Sequence, residues 1–369
     1  EGEGEGESVW PDNVGDAISV YSQIVSASYE DSLASATTLN DALGALVSTP
    51  NETRMETART AWLASREPYL QTEVYRFYDG PIDNADDGPE GLLNAWPMDE
   101  SHVDYTVDNA DSGIVNDPSI ELTAQALLDL NEVPDETNIA TGYHAVEFLL
   151  WGQDLSADSA GTRPATDYVT DDTGTAANQD RRGEYLSIAS GLIPTHLEPL
   201  VAAWASNGSY RAGFDAGGID SLEKIMTGMI ILSGFETGGE RLQTAYDSQD
   251  QEDEHSCFSD NTHRDMVQDA RGVDNVYNGT YTKVDGTTVS GPGVYDVVAE
   301  VDQALADQLR TEIAASVTAA EALDTPFDQS LADDAGRVKV LALITALRTQ
   351  ESTLETAFTT LGLAVPVAE

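Results

Sequence analysis

Gly142-Tyr143-His144-Ala145-Val146-Glu147-Phe148-Leu149-Leu150-Trp151 sets a histidine and a carboxylate three residues apart inside an otherwise apolar run. On a helix that spacing puts both side chains on one face, one turn apart. The neighbours Val146, Phe148, Leu149, Leu150 and Trp151 predict that this helix, starting near Asn138 or Thr141, is buried. A buried carboxylate is costly unless something pairs with it or coordinates it. A metal ion is a partner that both residue types share. The alternative is a core histidine bonded to a carbonyl, with Glu147 at a domain seam.

The same helical period extends outward in both directions. Ile18, Tyr21, Ile24, Val25, Leu33, Leu39, Leu43 and Leu46 recur at helical intervals and predict a helix over 16–47. A second begins at Asn51 and carries Met55, Ala58 and Trp62. Pro68 predicts a kink near Glu67, with the helix resuming through Phe77. Asp79–Asn94 reads as a long ordered loop. Further helices are expected over 180–205 (bent or broken at Pro194 and Pro199), 220–246, 260–271 (N-capped by Ser259), 294–323 and 335–358. The only strand signal is a short hairpin around Asp285-Gly286. The expected class is all-α: two helical-bundle domains with long ordered loops. Their expected bounds are 16–160 and 179–369. Residues 156–178, poor in large aliphatics, form the linker or a surface insertion, and 1–15 a flexible acidic tether.

Composition narrows the function. The 369 residues carry 66 acidic against 17 basic side chains, a net charge of -49. Such a surface repels nucleic acid and anionic lipid. Its Lys-poor, Asp-rich character resembles salt-adapted proteins, so only carboxylates on apolar faces are site candidates. The lone Cys257 excludes an intramolecular disulfide. No stretch is long and apolar enough to cross a membrane. The opening Glu1-Gly2-Glu3-Gly4-Glu5-Gly6-Glu7, without Met, reads as the start of a mature secreted or lipid-anchored protein after signal removal, or as a trimmed chain.

Several other segments carry candidate chemistry. Glu73 sits among aromatic and apolar neighbours, with Arg76 one helical turn away; it is a metal ligand or that arginine's partner. Asp99 and Asp104 lie beside Trp96 and Tyr105 and read as site carboxylates or N-caps. Glu236 and Glu240 flank Arg241. Residues 252–265 gather His255, Cys257, Asp260, His263 and several acids. Zinc is conceivable there, but the spacing matches no standard site, and a solvated capping loop with Ser259 as N-cap is the plainer reading. His-Glu-x-x-His and its inverted form are absent, as are Gly-x-Ser-x-Gly, phosphate-loop and dinucleotide-binding patterns.

Arg66-Glu67-Pro68-Tyr69, Gln71-Thr72-Glu73, Arg76-Phe77-Tyr78-Asp79-Gly80-Pro81-Ile82-Asp83, Leu93-Asn94-Ala95-Trp96-Pro97-Met98-Asp99-Glu100, Gly142-Tyr143-His144-Ala145-Val146-Glu147, Gly239-Glu240-Arg241 and Cys257-Phe258-Ser259-Asp260-Asn261-Thr262-His263 together resemble the imelysin family. These proteins are also described as insulin-cleaving membrane peptidases or iron-regulated-protein-A-like proteins. The resemblance implies an all-helical fold of two bundle-like halves with a site near their interface. It also implies a bacterial envelope protein, periplasmic or lipid-anchored, linked to iron uptake. Through related iron-transport proteins that share His-x-x-Glu, it adds Glu73 and Asp99 to His144 and Glu147 as metal ligands. Arg76, Asp104, Glu240, Asp260 and His263 are the site-lining candidates.

Three functions follow. The first is an envelope protein binding a metal ion or a metal chelate, iron before zinc or calcium, and working with an envelope iron-transport protein. The second is a metallopeptidase, which needs an open metal position and a free base. The third is an interaction module whose cleft holds a partner protein or a chelated metal.

Overall fold

In the computed structural model, which describes residues 10–367, eight α-helices of ten residues or more carry the fold. They are α1 (Val14–Ser48), α2 (Glu52–Leu70), α3 (Gly142–Trp151), α4 (Gln179–Trp204), α5 (Ile219–Ile230), α6 (Thr262–Asn278), α7 (Gln303–Glu321) and α8 (Asp334–Thr360). Strands β1 (Thr280–Thr282) and β2 (Thr288–Ser290) pair antiparallel, with Asp285-Gly286 in the turn as expected. Most of the expected acidic tether, residues 1–9, lies outside the described residues, and α1 already begins at Val14.

The apolar faces close into two cores. The larger runs from Val14 to Leu361 and takes in α1, α2, α3, α4 and the outer turns of α6. The smaller is built at the other end from Leu242, Met266, Phe327, Leu343 and Leu347 and their neighbours. The segment 156–178 connects α3 to α4 and buries Arg163, Ala165, Asp167 and Tyr168. Helix α4 returns to pack along α1 and against α3, so the larger core continues across this segment.

Several expected helix bounds move. Pro194 and Pro199 sit inside an unbroken α4. Pro68 is two residues from the end of α2, which stops at Leu70 and does not resume; a single 3₁₀ turn, Glu73–Tyr75, follows. The expected helix over 220–246 changes pitch, with Ile231–Gln243 forming a π-helical run after α5. Wide turns of this kind recur at functional sites. Helix α6 continues past Gly272 to Asn278 and ends at Gly279, whose positive φ closes it. The expected last pair of helices is split once more, because Asp302 separates Val294–Val301 from α7.

Two glycines allow the close approaches that position the site. A Cβ at Gly228 on α5 would overlap the Val74 carbonyl oxygen. One at Gly272 on α6 would stand 2.7 Å from the Gln71 carbonyl oxygen. Both approaches press the Gln71–Arg76 segment into the helices carrying its partners.

Candidate functional site

Helix α3 is buried along its whole length. Trp62 of α2 donates its indole N–H to the Tyr143 carbonyl at 2.9 Å, and Tyr168 its hydroxyl to the Leu149 carbonyl at 2.6 Å. These bonds hold the helix in register against its neighbours. His144 and Glu147 meet on one face, with Nδ1 2.9 Å from Glu147 Oε2. Oε1 of Glu147 accepts both the backbone N–H and the hydroxyl of Ser259, at 3.0 and 2.6 Å. His144 Nε2 is buried and has no hydrogen-bond partner.

The loop before α6 supplies a second dyad. His255 Nδ1 lies 2.7 Å from Asp265 Oδ2, and the two imidazoles meet edge to face with centroids 4.9 Å apart. Asp265 also accepts from Ser256 Oγ at 2.5 Å and Asn261 Nδ2 at 3.2 Å, and pairs with Arg66 at 3.4 Å. Arg66 is fully buried against the Trp62, Tyr69 and Tyr143 rings. Burial, with Arg66 and His255 adding to it, pushes the His144 pKa well below its ordinary value. Burial and Arg241 lower that of His255 to about 4 despite Asp265. Both rings are therefore neutral at neutral pH, the form that binds metal. Burial raises the Glu147 carboxyl to about 8, against the pull of the Ser259 bonds.

The expectation of a solvated capping loop over 252–265 is overturned. Residues 254–259 are buried, Ser259 serves Glu147 instead of capping a helix, and α6 begins at Thr262. Cys257 is buried and burial pushes its thiol up, which disfavours the thiolate that zinc needs. The signal for His255 was the run of polar residues around an apolar Cys257-Phe258 pair. Phe258 in fact packs on Phe148 and Trp96 and draws the loop inward.

Above the dyads lies a cleft of about 460 Å³, lined by Trp96, His255, Arg76, Arg241 and the acids Glu90, Glu132, Glu136, Glu236, Glu240 and Asp253. Trp96 also packs on His144, with centroids 4.9 Å apart, so His144 lies directly beneath the cleft floor. The cleft wall is an ion-pair network. Glu73 Oε2 accepts from Arg76 Nη1 at 2.6 Å and from Arg241 Nη2 at 2.5 Å. Arg76 reaches Glu90 at 3.2 Å; Arg241 reaches Glu236 and Asp269, both at 2.9 Å. Burial alone would raise the Glu73 pKa, but the two arginines outweigh it and hold it at about 2.

The sequence candidates thus separate. His144 and Glu147 meet, and Arg76 and Glu240 line the cleft. Glu73 is close by but committed to two arginines. Asp99 is exposed and caps a short helix by accepting from Ser101 N at 2.9 Å. Asp104 is buried elsewhere, clamped by Arg163 and Arg182 at 2.7 and 2.6 Å. His263 turns its Nδ1 to the Asp260 carbonyl at 3.2 Å, and Asp260 faces a separate acidic cluster. Among the described residues, no three of His144, Glu147, Glu73 and Asp99 bring ligand atoms within 4.8 Å of one another.

Fold and site together define a class: an all-helical protein with paired, carboxylate-held histidines under an acid-lined cleft. The imelysin (peptidase M75) family model matches residues 25–354, and the chain belongs to that family. It is 27% identical over 344 residues to iron-regulated protein A of Synechococcus elongatus, covering 90% of this chain and 82% of that protein. The fold is similar to the crystal structure of an iron-regulated protein A precursor from Parabacteroides distasonis, with a TM-score of 0.71 and 18% identity over 95% of this chain and 97% of that one. It is also similar to an imelysin-like protein from Psychrobacter arcticum, with a TM-score of 0.67 and 13% identity over 96% and 98% of the two chains. No helix among the described residues is long and apolar enough to cross a membrane.

Proposed function

We propose that this protein binds iron as cargo at the floor of the acid-lined cleft, in the bacterial cell envelope, and serves iron uptake. One observation carries the reading: two neutral imidazoles, each with a carboxylate on Nδ1, whose rings stand 4.9 Å apart beneath the cleft. A carboxylate on one ring nitrogen is the usual support for a histidine that ligates through the other. The unpartnered Nε2 of His144 is the atom this arrangement leaves free. The cleft acids would gather the cation and complete an oxygen-rich donor set suited to iron. The same set admits zinc, or a metal already held in a small chelate. In this reading His144 and His255 are the protein's nitrogen ligands and Glu147 orients His144. Glu73 anchors Arg76 and Arg241, which leaves it a weak candidate for a ligand, and Asp99 is outside the site.

Glu147 also bears on the metallopeptidase reading. Its oxygens are held by His144 and by Ser259, so the carboxyl is turned to these side chains and not to a water in the cleft. That favours binding over cleavage. The names of the cyanobacterial relative and of the Parabacteroides precursor favour iron and an exported chain, released or lipid-anchored, that hands its cargo to an envelope transport protein.

Isothermal titration of the full chain with ferrous iron under anaerobic conditions tests the reading. One tight site per chain is expected, lost in His144→Ala and in His255→Ala, and weakened about 10–100-fold in Glu147→Gln. Tight binding that survives both histidine changes would overturn the assignment.

A further inference from the structure

A second group of carboxylates, none of which lines the cleft, gathers at the loop that carries His255. Asp154 follows α3, Asp260 precedes α6, and Asp328 lies on the short helix Phe327–Ala332 between α7 and α8. Each offers an oxygen, and these oxygens all lie within 4.8 Å of one another. Asp154 and Asp328 are only 2% and 4% exposed. Asp154 Oδ2, Asp260 Oδ1 and both oxygens of Asp328 are buried without a hydrogen-bond partner. Glu254 is fully buried beside them, its two oxygens also unpartnered, with Asp328 and Asp260 as its charged neighbours. Among the described residues no Lys, Arg or His forms an ion pair with any of the four.

Salt adaptation does not account for this group, because surface acids are hydrated, whereas Asp154, Asp328 and Glu254 are buried. Nor is it a by-product of the cleft, whose buried acids are answered by arginines. Leaving several carboxylates dry and unpaired is far costlier than one lost hydrogen bond. Either protons or a cation must compensate.

The ligand chemistry selects the cation. Three carboxylate oxygens within 4.8 Å of one another can close on one ion. Calcium takes six to eight oxygen ligands in flexible geometry, whereas magnesium keeps several waters and is seldom held in an all-protein cage, so a buried carboxylate set suits calcium. With no histidine or cysteine in the group, zinc and other softer metals are disfavoured.

We propose that Asp154, Asp260 and Asp328, with Glu254 beside them, form a divalent cation site suited to calcium and separate from the His144–His255 pair. Its place in the fold gives it a task. The ion fastens the segment after α3, the 254–260 loop and the C-terminal helices at one point. That loop carries His255, which lines the cleft, and Ser259, which bonds Glu147, as well as Glu254 and Asp260 of the ion site.

The test is equilibrium dialysis of radiolabelled calcium against the EDTA-stripped full chain, in roughly 1 M KCl to screen the acidic surface. Thermal unfolding is followed in parallel. One calcium per chain is expected, with a melting temperature several degrees higher in calcium than in EDTA. Asp154→Asn/Asp328→Asn should lose the bound ion and the calcium-dependent shift. In EDTA it should melt at or above the wild type, because buried charge has been removed. His144→Ala/His255→Ala should keep both, which separates this site from the iron site. Asp260→Asn, a single milder change, should weaken calcium at least tenfold, and covers the case in which the double variant fails to fold. The proposal is overturned if the wild type takes up no stoichiometric calcium at roughly 1 mM, the weak end of known calcium sites. It is equally overturned if the Asp variants bind as the wild type does.

Discussion

Glu73→Gln separates two roles for the same side chain. As a metal ligand, Glu73 should matter for metal binding and little for stability. As the anchor of Arg76 and Arg241, it should do the reverse. The carboxylate is 1% exposed and receives both guanidinium groups on one oxygen, at 2.6 and 2.5 Å. Burial opposes its ionisation, yet the arginines hold its pKa near 2 against an ordinary 4.5. By linkage that displacement is worth about 3 kcal/mol. The variant strands neither arginine completely, since Arg241 keeps Glu236 and Asp269, and Arg76 keeps Glu90. The loss should therefore fall at or below the ~3–5 kcal/mol seen when a buried charge is left alone, at about 2–3 kcal/mol.

The sign of the pH dependence follows. A carboxyl with a depressed folded pKa contributes stability fully above its unfolded pKa and loses it as pH falls through the folded one. The gap between wild type and Glu73→Gln should be constant above about pH 6 and shrink to less than half by about pH 3. Urea unfolding across that range measures it, with iron titration of the same samples near neutrality. Equal stability at neutral pH combined with lost iron binding would refute the anchoring role and restore Glu73 as a ligand.

Other perturbations probe neighbouring contacts. Asp104→Ala leaves Arg163 and Arg182 buried without their shared carboxylate, so urea unfolding should show a loss of about 3–5 kcal/mol. Gly228→Ala drives a Cβ into the Val74 carbonyl and should cost about 1–3 kcal/mol in the same assay, with iron affinity falling because the cleft wall shifts. Burial raises Glu147 to about 8, so its ionisation drains stability as pH climbs from the ordinary carboxylate value through that point. Glu147→Gln removes this drain, and its stability relative to wild type should rise between about pH 5 and about pH 9. A flat difference would show that Glu147 ionises below that range.

Much of the fold was legible locally. Helical periodicity found every long helix, and the Asp285-Gly286 turn found the hairpin. The errors lie where tertiary contacts override local signals. Pro194 and Pro199, helix breakers by local rule, ride inside α4, which packs on α1 and α3. Gly272 looked like a helix end but marks the close approach of Gln71.

For the site, sequence alone determined that His144 and Glu147 share a buried helical face, because three-residue spacing and apolar neighbours are local properties. It could not determine what closes that face. His255 and Ser259 arrive from more than a hundred residues away, placed by Phe258 packing under Trp96 and Phe148. Nor could it tell Glu73, neutralised by Arg241 from a distant helix, from the carboxylates Asp154, Asp260 and Asp328, which have no basic partner. A carboxylate's fate depends on burial and on the sign of the charges facing it. Both are set by residues remote in the chain and meet only in the folded protein.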